Sequence, residues 1–117
     1  GDKTCTEQWS YLKDSKYLLC FKISYTKDST RYGEEYYLDK GSLIYTTETE
    51  VSYFPSLNPP DSIGWGAFLY FSKGKLIYEW SLGHGKSEME SWDSEKETLV
   101  RYSKRRYRRP ELSAGSK

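Results

Sequence analysis

An alternation of apolar and polar residues with a period of two, repeated in short runs, commits this chain to extended strands more firmly than any other feature. In Tyr17-Leu18-Leu19-Cys20-Phe21-Lys22-Ile23-Ser24-Tyr25 the odd positions read Tyr, Leu, Phe, Ile, Tyr, while the even positions turn from apolar to polar. Successive side chains of a strand point to opposite faces, so one face of this segment is buried throughout and the other only at its start. Residues 43–54 are rich in Thr, Tyr, Val and Ile, with Glu48 and Glu50 outward on one alternation. Residues 66–71 are apolar on both faces, as a central strand requires. Residues 76–82 place Leu76, Tyr78, Trp80 and Leu82 on one side, and residues 97–103 read as a last strand with Thr98, Val100 and Tyr102 on one face.

The punctuation agrees with strands. Ser72-Lys73-Gly74-Lys75 reads as a tight hairpin in which Gly74 supplies positive φ, and Asp39-Lys40-Gly41 fits a three-residue hairpin ending in a left-handed glycine. Pro55, Pro59 and Pro60, with Asn58 and Asp61, mark a longer loop between Phe54 and Trp65. Residues 83–96 form a second long connection, with room for one helical turn over 88–96. Turns every 8–12 residues imply an all-β fold, an antiparallel sandwich or small barrel of six to seven strands. It forms a single domain over residues 3–104, followed by a basic C-terminal tail, 105–117, expected to be disordered.

Composition bears on how such a domain closes its core. Charged residues make up 30% of the chain and mean hydropathy is −0.86, yet twelve Tyr, four Trp and four Phe supply apolar area in large units. No run approaches the ~20 apolar residues that span a bilayer. Gly1-Asp2-Lys3 opens on charge, not on an apolar leader, so if the protein is secreted the expectation is that this chain is the mature form. Cys5 and Cys20 are the only cysteines, and a disulfide between them would close a loop worth about 3 kcal/mol in the chain-entropy model. The alternative is two reduced thiols. Two Cys and one His do not complete a four-ligand zinc site, so no metal or cofactor is expected.

Charge is segregated. Residues 101–117 hold seven Lys/Arg and one Glu, net +6, whereas residues 1–100 hold eleven Lys/Arg against sixteen Asp/Glu, net −5. Arg101, Lys104, Arg105, Arg106, Arg108 and Arg109, interleaved with Tyr102 and Tyr107, suit an anionic partner: nucleic acid by phosphate contact and stacking, or another anionic surface. Two other roles fit the same run, a solubilising terminus and a strap across the acidic surface from Glu88 to Glu97.

Catalytic signals are sparse. His84, between Gly83 and Gly85, is the only histidine and the natural acid/base candidate. The tripeptide Tyr78-Glu79-Trp80 resembles the strand that carries the catalytic glutamate in small fungal guanyl-specific ribonucleases. In a continuous strand, however, Glu79 and His84 point to opposite faces. No Gly-x-Ser-x-Gly context or phosphate loop is present, and the expectation is a protein that is not an enzyme. The tyrosines Tyr32, Tyr36, Tyr37 and Tyr53 read more readily as core than as an exposed aromatic platform for protein or carbohydrate, the alternative they offer. Tyr36 and Tyr37 face opposite sides of a strand, so one of them belongs to the core.

The profile of two cysteines, about six short antiparallel strands and many aromatics resembles the small secreted effectors of plant-pathogenic fungi, in particular the MAX-type β-sandwich group. The resemblance covers residues 3–104 in architecture, with the second cysteine earlier in the chain than is usual for that group. It implies a non-catalytic virulence protein, secreted and in some cases translocated into host cells. Such a protein would act as a monomer that binds host proteins through a sheet edge or a side-chain surface.

Overall fold

The computed structural model describes residues 6–14 and 16–108. Six strands follow in chain order: β1 Gln8–Lys13, β2 Leu18–Lys27, β3 Thr30–Asp39, β4 Ser42–Phe54, β5 Asp61–Ser72 and β6 Lys75–Gly83. A single 3₁₀ turn, Lys86–Glu88, leads to the helix α1, Ser94–Arg108. Each strand pairs antiparallel with the next, giving one open six-stranded meander with β1 and β6 at its edges. Three two-residue hairpins build it: Asp28-Ser29, Lys40-Gly41 and Lys73-Gly74 all have positive φ at both positions. That conformation matches the right-handed twist of the flanking strands. The antiparallel, six-stranded, single-domain expectation therefore stands, although the turn at Lys40-Gly41 is one residue tighter than expected. The sheet is covered by a helix on one side instead of by a second sheet.

The last expected strand, 97–103, is the middle of that helix, and the boundary drawn at 104 falls inside it. Local chemistry explains the correction. Asp93 caps the helix: its Oδ1 accepts the Lys96 amide at 3.1 Å and its carbonyl accepts the Glu97 amide at 2.9 Å. Glu95 and Glu97 place negative charge in the first turn. Facing the sheet are Ser94, Thr98, Arg101, Tyr102 and Arg105, three or four residues apart, while Val100 points to solvent. The helical period is present, but polar and cationic side chains carry it.

On the helix side of the sheet, Phe21, Ile23, Tyr36, Leu38, Trp65, Ala67, Leu69 and Phe71 form the core, with Trp9, Leu99 and Tyr102 packed against it. Rings continue across the layers: Trp9–Phe21 centroids are 5.8 Å apart, Phe21–Tyr36 4.8 Å and Tyr36–Tyr102 5.5 Å. Glu48, read from the sequence as outward, is buried on this side, paired across the sheet with Glu34 and Ala67. Among the described residues no helix is long and apolar enough to cross a membrane.

Candidate functional site: a helix-covered face and an aromatic open face

Carboxylates buried beneath a basic helix decide what that helix does. Arg105 is 7% exposed and grips Glu34 in a fork, Nε to Oε1 at 2.9 Å and Nη2 to Oε2 at 2.8 Å, while its Nη1 donates to Glu7 at 2.7 Å. Its guanidinium also lies 5.9 Å from the Trp9 ring centroid and 5.7 Å from that of Tyr25. One turn earlier, Arg101 donates to the Tyr36 hydroxyl at 2.7 Å and to Glu48 at 2.9 Å, and Tyr36 in turn donates to Glu34 at 2.7 Å. Lys86 joins Glu48 to Glu97, the latter at 2.9 Å. One continuous polar network thus runs from Glu7 on one edge to Glu97 on the helix, closing the interface.

Of the residues expected to meet an anionic partner, Arg101 and Arg105 therefore face inward and are occupied. Arg106 lies along the helix, donating to the Tyr102 hydroxyl at 2.6 Å. Lys104 is exposed. Arg108 is the last helical residue, and Arg109 lies outside the described residues. Arg101 and Arg105 do fold back on acidic groups of the same chain, but not on the surface from Glu88 to Glu97 that the sequence suggested for such a strap. The acids they meet come from β3, β4 and the segment before β1.

Electrostatics follow from this packing. Burial works against ionised Glu34, but the hydrogen bonds and charge of Arg105, with Tyr36 and Arg101, overcome it and hold its carboxyl below the ordinary value. Glu50 shows the opposite balance. Burial, with the like charges of Glu48 and Glu97, raises it despite Lys86. Burial likewise pushes up the hydroxyl of Tyr36.

The other face of the sheet has no helix on it. Register places Tyr37, Tyr45, Tyr70 and Tyr78 in one row across four strands. Their rings touch in sequence, with centroids 5.4, 4.6 and 5.9 Å apart. The adjacent row ends in Phe68 and Trp80, stacked at 5.5 Å. Tyr70, Tyr78 and Trp80 are 44, 59 and 51% exposed, while Tyr37, Tyr45 and Phe68 are part-buried, so half of the six rings stand open to solvent. Beside it the row Ser24, Gly33, Thr49, Gly66 carries no side chain larger than threonine. Ser24, Gly33 and Thr49 of that row line an open hollow of about 410 Å³ bordered by Ser10, Lys22, Glu35 and Thr47. A methyl group at Gly33 would lie 2.7 Å from the Thr49 hydroxyl, so the floor is already filled to contact.

The remaining candidates are placed as follows. Tyr36 is the core member of the Tyr36-Tyr37 pair and Tyr37 the surface member, as alternation requires. Tyr32 stacks on Tyr25 at 4.9 Å, and Tyr53 is exposed at the end of β4. Glu79 accepts a hydrogen bond from the Ser94 hydroxyl, whereas the exposed His84 pairs with Glu88 at 3.0 Å, so the two are not brought together. Cys20 is a free, buried thiol opposite Leu12, and burial raises its pKa. Cys5 lies outside the described residues. The aromatic cluster of Tyr45, Phe68, Tyr70, Tyr78 and Trp80 did not emerge from the sequence, because membership depends on register between strands. Compared with protein-family models, curated proteins and solved structures, the chain matches none.

Proposed function

We propose that this is a non-catalytic interaction protein of the secreted effector type, and that it binds a host protein on the helix-free face, centred on Tyr45, Phe68 and Tyr70. The observation that carries the reading is the six-ring cluster, an apolar and uncharged patch exposed on an otherwise highly charged domain. Patches of this kind mark interaction sites, and tyrosine and tryptophan are the side chains that most often anchor them. Their hydroxyl and indole groups keep the free surface wettable while the ring faces stay available. The basic segment supports a nucleic-acid reading less well, since Arg101 and Arg105 already have buried carboxylate partners.

A photo-crosslinker placed at Tyr70, and separately at Val100 on the outer side of the helix, tests this in host-cell extract. The reading expects a discrete protein adduct from position 70 and none from position 100, competed away by unmodified protein. The captured protein, once purified, should bind the Tyr70→Ala variant at least ~10-fold more weakly than wild type. Capture only from position 100, or unchanged affinity for Tyr70→Ala, would overturn the reading.

A further inference from the structure

The two sheet edges differ. β1 spans six residues, and its approach is tied down by Glu7 on Arg105. β6 spans nine, and only its second residue is closed off, the Leu76 amide donating to Glu95 Oε2 at 2.8 Å. From Ile77 to Gly83, among the described residues, no element pairs with its outer side. The register irregularity that β6 shares with β5 lies at the hairpin end, and beyond it pairing runs unbroken from Tyr78 to Gly83. That stretch has no Lys, Arg or Pro, and its one charge, Glu79, is turned to the helix side and bonded to Ser94. Edges are ordinarily guarded by such residues or by a covering element.

We infer that two copies of this chain pair antiparallel through β6, about a two-fold axis at Trp80. In this register Tyr78 lies opposite Leu82 of the second copy, Glu79 opposite Ser81, and Ile77 opposite Gly83. An axis one residue earlier would set Glu79 against its own copy, a like-charge pair that costs free energy. Moving one residue later shortens the paired stretch past the strand end. An axis perpendicular to the sheet keeps both helices on one side and joins the two aromatic clusters into one surface on the other. Ile77, Tyr78, Trp80 and Leu82 are 64, 59, 51 and 52% exposed. Covering them completely on both copies would remove roughly 1,000 Å² from water, the lower end of what a specific interface needs, and edge pairing covers them only in part. The result is a reversible dimer instead of the monomer expected from the sequence. It shares Tyr78 and Trp80 with the open-face cluster but does not involve Tyr45, Phe68 and Tyr70, on which the protein-binding reading is centred.

Sedimentation equilibrium from low to high micromolar concentration, with hydrogen exchange on the same samples, tests it. The inference expects a monomer–dimer shift in which protection of the 77–83 amides rises with concentration. The Trp80→Lys variant, checked for native circular dichroism, should dimerise at least ~10-fold more weakly. Tyr45→Ser, on the face but away from the edge, should dimerise as wild type does. Persistence as a monomer throughout, or a dimer without concentration-dependent protection at 77–83, would overturn the inference. So would a dimer lost equally in Tyr45→Ser, which would indicate face-to-face stacking. Because the hydrogen-exchange readout uses wild-type protein, it stands even if Trp80→Lys fails to fold.

Discussion

Arg105 shows how a residue that looks like part of a binding tail becomes structural. Its three nitrogens donate to two carboxylates, and its guanidinium lies 5.9 and 5.7 Å from two aromatic ring centres, an arrangement lysine cannot reproduce. Replacing it with alanine leaves Glu34 charged and buried without its fork, and should cost about 3–5 kcal/mol. Lys104, one position away and exposed, should cost no more than ~0.5 kcal/mol on the same substitution. Denaturant unfolding of the two variants checks the contrast, and equal small losses would contradict it. Replacing Glu34 and Arg105 together by leucine should recover much of the loss, since the penalty arises from the stranded charge. Nothing in the local sequence separates these neighbours. Their difference is a matter of helical phase, legible only once the segment is known to be a helix.

At the level of elements, α1 is held to the sheet by ion pairs as well as by Leu99 and Tyr102, so its docking depends on pH. Glu34 is held below the ordinary glutamate value of 4.5 in the folded state. Its contribution is therefore fully present above about that value and is lost as pH falls through the lower, folded value. Glu50, raised above 4.5, acts in the opposite sense: its penalty is present at neutral pH and is relieved as pH falls through the raised value toward 4.5. The denaturation midpoint should thus hold steady or rise slightly on mild acidification, then fall below about pH 4.5, and Glu34→Gln should flatten that acid limb. A midpoint that keeps rising into acid would contradict the account. The strands were legible because their buried face is apolar at every second residue, as in Phe21 and Ile23. The helix was not, because its buried positions are Ser94, Thr98 and Arg105, with Arg101 beside them facing the sheet. Its sequence signs were the Asp93 cap and the acidic first turn.

For the whole molecule, the sheet separates two tasks, with a helix sealing one face through buried charge and an aromatic cluster left open on the other. Fold class was legible from periodicity and hairpins, but the composition of the open face was not. Two one-residue irregularities decide it, between Tyr37 and Leu38 and between Tyr70 and Phe71. Without the second, the two-residue hairpin would pair Tyr70 with Ile77 and send Tyr78 to the helix side, since a slip of one residue exchanges faces. Selective chemical labelling of tyrosines, read residue by residue in dilute native protein, tests this division directly. The account predicts rapid modification of Tyr70 and Tyr78, 44 and 59% exposed, and none of Tyr36, which is wholly buried until the protein unfolds. Modification of Tyr36 in the native state, or protection of both Tyr70 and Tyr78, would contradict it.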